Sequence, residues 1–351
     1  MPLKQTKIVA TIGPASEKTD IIKELIIGGA TIFRFNLKHN TWQWHNLAIK
    51  TVRETAKNLG ISVGIMVDVP RSDYNIGEIV DFDILALSYL KTAMEIDHLR
   101  ELYTKKGLKP IIIAKIENKR ALENLDKIIS AADGVMVARG DLGEAISFKE
   151  LAYYQKIIIN QCRKQLKPVI VATEMLLSMV TNKTPTRTEA TDVANAVYDG
   201  TDAVMLSQET AMGNHPGICV KTMAEIVSFA DKTVATNNII PELKALNDEL
   251  FITAAEIVNK SKGQIKGVVV TTKSGRSGFK MASFRVRVPV IAVSDSQKVL
   301  NGLNLGYGVV PVKDKQYQPE KLFKKGDSIL LIHGQNWLEA GSTNTISIVT
   351  V

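Results

Sequence analysis

Short runs of aliphatic and β-branched residues recur along the first two thirds of the chain. Turn residues bound each run, and the segments between them carry apolar residues at helical spacing. Eight runs read as strands: Lys7 to Ile12, Thr31 to Leu37, Val63 to Val69, Asp83 to Tyr89, Lys109 to Ile116, Gly134 to Arg139, Pro168 to Thr173 and Ala203 to Ser207. Between them, Ser147-Phe148-Lys149-Glu150 and Thr186-Arg187-Thr188-Glu189 are capping boxes that announce helix starts. Ala121, Leu122, Leu125, Ile128 and Ile129 form one apolar helical face. Eight strands, mostly alternating with helices, predict an α/β fold of the (β/α)₈ TIM barrel type, with its active site at the carboxyl ends of the strands.

The pattern changes after a connecting helix around Cys219 to Val234 and a polar break at Thr236-Asn237-Asn238. Five further strands, Gly267 to Thr272, Pro289 to Ser294, Tyr307 to Val312, Ser328 to His333 and Thr345 to Val351, predict a smaller open α/β C-terminal domain. The expected boundaries are therefore residues 1–235 for the barrel and 236–351 for a regulatory or oligomerisation domain.

A length of 351 residues with 45% hydrophobic content suits two domains with substantial cores. No stretch approaches the roughly 18 consecutive apolar residues of a membrane span, and Met1-Pro2-Leu3-Lys4-Gln5 holds no signal-peptide core. The two cysteines, Cys162 and Cys219, offer no disulfide framework and no metal spacing, which fits a reducing, cytoplasmic setting without a membrane partner. The net charge of +8 points to anionic ligands. Because Lys and Arg are scattered and not interleaved with aromatics, phosphorylated metabolites are expected rather than nucleic acid.

Reactive side chains concentrate at the strand ends. They are Arg34, Asn36 and Lys38 on the second, Asp68 on the third, Ser88 on the fourth, Lys115 and Glu117 on the fifth, Arg139 and Asp141 on the sixth, and Thr173 and Glu174 on the seventh. Glu117 and Asp141 have the oxygen chemistry that a hard divalent cation, Mg²⁺ or Mn²⁺, requires. His39 and His45, with the scattered His98, His215 and His333, supply no zinc cage, and Trp42 and Trp44 read as packing at a helix start.

Taken in order, Thr6 to Ser16, Arg34-x-Asn36 with His39, the Lys115 and Asp141 runs, and Ala172 to Leu176 resemble the pyruvate kinase family. Pro185-Thr186-Arg187-x-Glu189, Asp192 to Val197 and Met205-Leu206-Ser207-x-Glu209-Thr210-Ala211 extend the likeness over nearly the whole chain. The resemblance implies phosphoryl transfer between phosphoenolpyruvate and ADP, giving pyruvate and ATP in glycolysis through a metal-stabilised enolate. It implies that Glu117 and Asp141 hold the divalent metal, that Lys115 stabilises charge on the phosphoryl group and the enolate oxygen, and that Arg34 clamps phosphate. The backbone of Ala138, Arg139 and Gly140 would receive the substrate carboxylate, Ser88 would line the substrate site, and Thr173 would stand at the face where the enolate is protonated. The family often forms tetramers, so a homo-oligomer, tetramer or dimer, is expected.

Three departures qualify that likeness. The lid (B) domain that the family inserts between the third and fourth strands has no counterpart, because the chain runs directly through residues 69–75. Lid closure excludes water and completes the site, so ADP binding and the phosphoryl step should weaken most, with Arg71 standing in for the family's hinge arginine. The family's monovalent-cation site keeps Asn36 and Asp68 but has Lys38 and Val69 at its other two positions. An ammonium at Lys38 would replace potassium, and K⁺ independence is expected. Glu174 and Tyr89 stand where Gln and Phe are common.

In the second domain Thr272-Lys273-Ser274-Gly275-Arg276-Ser277 is a glycine-containing turn opening a helix. It is suited to the phosphate of a sugar-phosphate effector, with Gly341 to Thr345 matching a nearby family motif. Two function classes follow: a compact pyruvate kinase, or a lidless metal-dependent enolate enzyme that decarboxylates oxaloacetate or enolises pyruvate. Both use Lys115, Glu117, Asp141 and Thr173, and only the first needs ADP.

Overall fold

The computed structural model describes residues 5–70, 76–79, 81–233, 241–242, 247–338 and 343–351. Arg71, the polar break at Thr236 to Asn238, and Gly341 and Ser342 lie outside them.

Eight parallel strands close into a barrel: β1 (Lys7–Thr11), β2 (Ile32–Asn36), β3 (Gly64–Val69), β4 (Ile84–Leu87), β5 (Ile111–Ile116), β6 (Gly134–Ala138), β7 (Val169–Ala172) and β8 (Ala203–Leu206). Closure comes from β1 pairing with β8, Lys7 opposite Ala203 and Ala10 opposite Leu206. All eight expected strands form, each trimmed by a residue or a few at its ends. The strands are apolar along nearly their whole length because both faces are covered. One face packs on the outer helices, as Ile8, Ala10, Phe33 and Phe35 do. The other fills the barrel with Val9, Ile32, Met66, Ile84, Ile113, Met136 and Ile170.

A second sheet follows in the order β11-β10-β9-β12-β13. Its strands are β9 (Ile265–Thr271), β10 (Val290–Ser294), β11 (Val309–Lys313), β12 (Ser328–Gly334) and β13 (Thr343–Thr350). Only the β12–β13 pair is antiparallel.

The residues filling the barrel belong to the same apolar cluster as Phe279, Leu303, Leu305 and Tyr307, so the second unit plugs the barrel at the amino ends of its strands. Polar contacts fix the junction. Lys7 Nζ donates to Val309 O at 2.8 Å, Arg285 donates twice to Thr201 O, and the Arg285 guanidinium lies 3.6 Å from the Tyr307 ring centre. With that end sealed, the carboxyl ends are the open mouth.

Local chemistry explains the helix boundaries. Thr186 and Ser147 form the expected capping boxes with Glu189 and Glu150, and Thr41 Oγ1 accepts the Trp44 N–H to start the helix Trp42–Leu59. The apolar face from Ala121 to Ile129 is split between helices Lys119–Glu123 and Leu125–Ala131. At the break, the Asn124 amide donates to Lys91 O and Arg120 O, a local side-chain bond that competes with helix continuation. Gly77 sits at φ +56°, and a Cβ there would come within 2.4 Å of the Trp42 ring, so the backbone at Gly77 lies against Trp42. That Trp therefore packs, as its sequence context suggested.

Candidate active site

The open mouth gathers charged groups from neighbouring strands around Asp68. Asp68 Oδ2 accepts Arg34 Nε at 2.9 Å and Nη2 at 2.6 Å, while Oδ1 accepts Ser88 Oγ at 3.0 Å and Lys115 Nζ at 3.3 Å. All four lone-pair positions of the carboxylate are therefore engaged. Burial alone would raise the Asp68 pKa, but the Lys115 and Arg34 cations outweigh it and hold the carboxyl at about 2. Arg34 also donates from Nη1 to Thr11 Oγ1 at 3.1 Å, so β1, β2 and β3 are tied together at their polar ends.

Lys115 stands at the centre. Its ammonium donates to Ser88 Oγ at 2.7 Å and lies 3.3 Å from both Asp68 Oδ1 and Glu117 Oε2. Glu117 is buried, and burial pushes its carboxyl pKa up against the opposing pull of Lys115. Its Oε1 accepts the backbone N–H of Tyr89, whereas its buried Oε2 accepts no hydrogen bond. Among the described residues its one charged partner is the Lys115 ammonium, which it shares with Asp68, and Asp141 adds a second negative charge nearby, so a divalent cation would relieve the remaining repulsion.

Tyr89 links the two carboxylates, Glu117 and Asp141. The Tyr89 hydroxyl donates to Asp141 Oδ1 at 3.0 Å, and this bond raises the phenol to a pKa of about 12. Tyr89 holds a left-handed backbone at φ +56° and is 43% exposed, an arrangement sustained by partners at both ends of the residue. Among the described residues no group of three or more His, Cys, Asp or Glu side chains could hold a metal. A divalent ion here would have two carboxylates and would complete its shell from substrate and water.

Thr173 and Glu174 follow β7 at φ +71° and +52°. A β-branched residue in that region is a genuine outlier. Thr173 Oγ1 accepts the Gly140 N–H at 2.8 Å and donates to Ala172 O at 2.6 Å. Arg139 holds the turn from below, donating to Thr173 O and Glu174 O and pairing with Asp192 at 2.6 Å. Its guanidinium is thus committed to positioning. Of the backbone that the resemblance gives to a substrate carboxylate, Ala138 and Arg139 lead into the short helix Arg139–Ala145, and the Gly140 N–H already serves Thr173.

The structure brings Arg34, Asp68, Ser88, Lys115 and Glu117 together through direct contacts, with Asp141 joined through Tyr89 and Thr173 through Gly140. Lys38 is exposed. Its backbone N–H donates to Asn36 Oδ1 at 3.2 Å, and among the described residues its ammonium makes no ion pair with Asp68. Two supports escaped residue-level reading. Asp192 anchors Arg139, and buried Glu209 accepts Leu176 N–H at 3.1 Å and Ser207 N–H at 2.7 Å. Both lie in segments quoted for the family likeness, where the only signal was a carboxylate at the start of, or just inside, a helix.

The effector-type loop lies at the sealed end. Thr272 Oγ1 accepts the Gly275 N–H at 2.9 Å, Gly275 has φ +86°, and the helix Arg276–Ser283 starts there. Lys273 pairs with Asp295, and Ser277 Oγ lies 3.3 Å from Thr343 Oγ1. Arg276 is exposed and has no partner among the described residues.

Comparison with known proteins agrees with this geometry. A pyruvate kinase from Thermococcus litoralis is 28% identical over 473 residues, covering 100% of this chain and 99% of that protein. One from Geobacillus stearothermophilus is 30% identical, covering 98% and 80%. One from Clostridium acetobutylicum is 33% identical over 312 residues, covering 84% and 66%. An alignment of 473 residues against a chain of 351 leaves a block of the relative without a counterpart. The family model for the pyruvate kinase barrel domain matches residues 3–81 and 70–223, two stretches that meet at the β3–β4 connection where the lid is missing. The model for the pyruvate kinase alpha/beta domain matches residues 248–349. A closed barrel with this mouth, a second sheet plugging its base, and matches over both units have one explanation: the chain belongs to the pyruvate kinase family.

Proposed function

We propose that this protein transfers a phosphoryl group between phosphoenolpyruvate and ADP, with its residues in the family's roles despite the missing lid. The observation that carries this reading is Lys115, an ammonium on β5 held by Ser88, Asp68 and Glu117 at the open mouth. The phosphoryl group leaves the enol oxygen of phosphoenolpyruvate for the terminal phosphate oxygen of ADP, and the resulting enolate takes a proton to give pyruvate. Lys115 faces the charge that develops on the transferring group and on the enolate oxygen, the interaction that most lowers such a barrier. Arg34 binds phosphate oxygens from the side of β2, with Ser88 and the Ala138–Gly140 backbone lining the substrate. Thr173 delivers the proton to the enolate face through water.

Glu117 and Asp141 would hold Mg²⁺ or Mn²⁺, and the Glu117 oxygen that accepts no hydrogen bond and shares Lys115 with Asp68 supports that fit. When bound, the metal supplies positive charge to the substrate carboxylate and phosphoryl oxygens. Potassium is not required, because both oxygens of Asp68 are filled by Arg34, Lys115 and Ser88. The remaining parts of the reading are a glycolytic, cytoplasmic enzyme and a homo-oligomer of two or four chains. Residues 1–235 form its catalytic domain and 236–351 a regulatory one, with a sugar phosphate on Thr272 to Ser277.

A second reading draws on the short β3–β4 connection. Without a lid, the same Lys115, Glu117, Asp141 and Thr173 would stabilise an enolate from oxaloacetate decarboxylation or pyruvate enolisation, with little phosphoryl transfer. A coupled assay with phosphoenolpyruvate, ADP and Mg²⁺ or Mn²⁺, run beside oxaloacetate decarboxylation, separates the two.

A further inference from the structure

Three loops follow the first three strands of the barrel, and each meets one residue in the first turn of the helix Trp42–Leu59. After β1, Glu17 Oε2 accepts the Trp44 Nε1–H at 2.5 Å. After β2, the His39 carbonyl oxygen lies 2.7 Å from His45 Nε2. After β3, the backbone at Gly77 lies against the Trp42 ring, and the Asn46 amide, one turn further on, donates to Glu78 O at 3.4 Å. Successive helical residues point about 100° apart, so Trp42, Trp44 and His45 leave the helix in three directions. A single turn thereby holds three loops.

His45 is the member that packing explains least. It is only 1% exposed, and its ring stands edge-on to those of Phe35 and Trp44, with 6.1 and 5.0 Å between centres. Because a carbonyl only accepts, Nε2 carries the proton, and the buried Nδ1 has no hydrogen-bond partner among the described residues. Burial lowers the His45 pKa and keeps the ring neutral. An imidazole buried for one hydrogen bond is a costly way to fill space, so the bond itself is the informative feature. The loop that it holds is tightly turned: the His39 N–H donates to Asn36 O and the Lys38 N–H to Asn36 Oδ1, both at 3.2 Å, and Asn40 has φ +63°.

The same three strands surround Arg34. Its guanidinium, on β2, donates to Thr11 on β1 and to Asp68 on β3. Asn36 lies opposite Asp68 in the β2–β3 register, and the Leu37 N–H donates to Asp68 O at 3.0 Å. The loops pinned by Trp44, His45 and Trp42 are therefore the continuations of the strands that hold this guanidinium. Orientation of a clamping group is worth a large share of a barrier, and here it comes from the barrel rim.

We propose that Trp44 and His45 are positioning residues for phosphate binding at Arg34, acting through the loops after β1 and β2, and that this pinned rim supplies orientation in place of the missing lid. Trp42 does the same for the connection after β3. The inference rests on the phosphoenolpyruvate reading given above, and it adds which residues outside the mouth hold its phosphate side in register.

Calorimetric titration of the full-length protein with phosphoenolpyruvate in the presence of Mn²⁺ tests this without reference to turnover. His45→Phe keeps a ring and loses the donor, His45→Gln returns an N–H near the Nε2 position, and Trp44→Phe removes only the indole donor. The two Phe variants should each weaken phosphoenolpyruvate binding by at least about fivefold, while His45→Gln stays within about twofold of wild type. Mn²⁺ affinity without phosphoenolpyruvate, read by electron paramagnetic resonance, should be the same in all three variants, because Glu117 and Asp141 follow β5 and β6. Unchanged phosphoenolpyruvate affinity in either Phe variant would overturn the role of that residue. Equal loss in His45→Phe and His45→Gln, or Mn²⁺ affinity falling together with phosphoenolpyruvate affinity, would mark general disruption and overturn the inference. Binding that depends on His45 with no ATP formed by the wild-type protein would overturn the kinase reading and support this one, and no binding to the wild-type protein would overturn both. Circular dichroism separates a lost contact from a lost fold, and Trp44→Phe, the milder change, decides the matter if His45→Phe does not fold.

Discussion

The Tyr89 hydroxyl lies 3.0 Å from Asp141 Oδ1 while the backbone N–H of the same residue donates to Glu117, so one tyrosine orients both carboxylates of the proposed metal site. Partners that orient ligands typically contribute about 10–100-fold to metal affinity. Tyr89→Phe keeps the backbone contact and removes the hydroxyl. It should weaken Mn²⁺ binding about tenfold in a direct titration by electron paramagnetic resonance, with the thermal midpoint little changed. Unaltered Mn²⁺ affinity would show that Asp141 needs no such restraint.

Asp68 neutralises two buried cations, so Asp68→Asn should be among the costlier single changes at the mouth. Removing one partner of a buried ion pair typically costs about 3–5 kcal/mol, and urea unfolding at pH 7 measures it. The pH dependence has a definite sign. The folded pKa of about 2 lies below the ordinary 3.8, so the stabilisation is complete above pH 4 and disappears as pH falls toward 2. Its size is on the order of 2 kcal/mol. Wild-type stability should drop through that window faster than that of the Asn variant. Parallel curves would mean that Arg34 and Lys115 do not set the Asp68 pKa.

Thr173 is a β-branched residue held at φ +71° by its hydroxyl contacts to Gly140 and Ala172. Thr173→Val preserves the shape and leaves the Gly140 N–H without that acceptor, whereas Thr173→Ser keeps it. On the proposed role in proton delivery, kcat should fall by about a hundredfold in the Val variant and by less than about threefold in the Ser variant. Steady-state kinetics at saturating substrate tests this, and loss in the Ser variant with near-normal turnover in the Val variant would place the role in the methyl group.

Potassium should have no effect. With the Asp68 oxygens filled, raising K⁺ from zero at constant ionic strength is expected to leave turnover unchanged. A steep activation would show that a cation displaces one of those partners.

Much of this architecture can be read from the chain before any coordinates. Runs such as Ile112-Ile113-Ala114 and Val135-Met136-Val137 are buried on both faces and have no other use, and the polar residues after them must line the mouth. Arg34, Lys115, Glu117 and Asp141 were legible because charge at the end of an apolar strand is costly unless it is used. The helix break at Asn124 was not, because it depends on a carbonyl, Lys91 O, distant in sequence. Lys38 illustrates the limit in another way. The family's monovalent-cation site suggested a Lys38 ammonium in the place of potassium, yet Arg34 and Lys115 already fill the Asp68 carboxylate and Lys38 is exposed. The Tyr89 bridge and the Trp44 contact with Glu17 both join segments far apart in the chain, so pattern alone reveals neither.

The central claim is that a barrel of this family still transfers phosphate without its lid. The most direct measurement is ATP formation from phosphoenolpyruvate and ADP with Mg²⁺ or Mn²⁺, with oxaloacetate decarboxylation measured in parallel. The account predicts ADP-dependent turnover that is lost in Lys115→Met. Turnover of oxaloacetate without ADP, and no ATP from phosphoenolpyruvate, would contradict it.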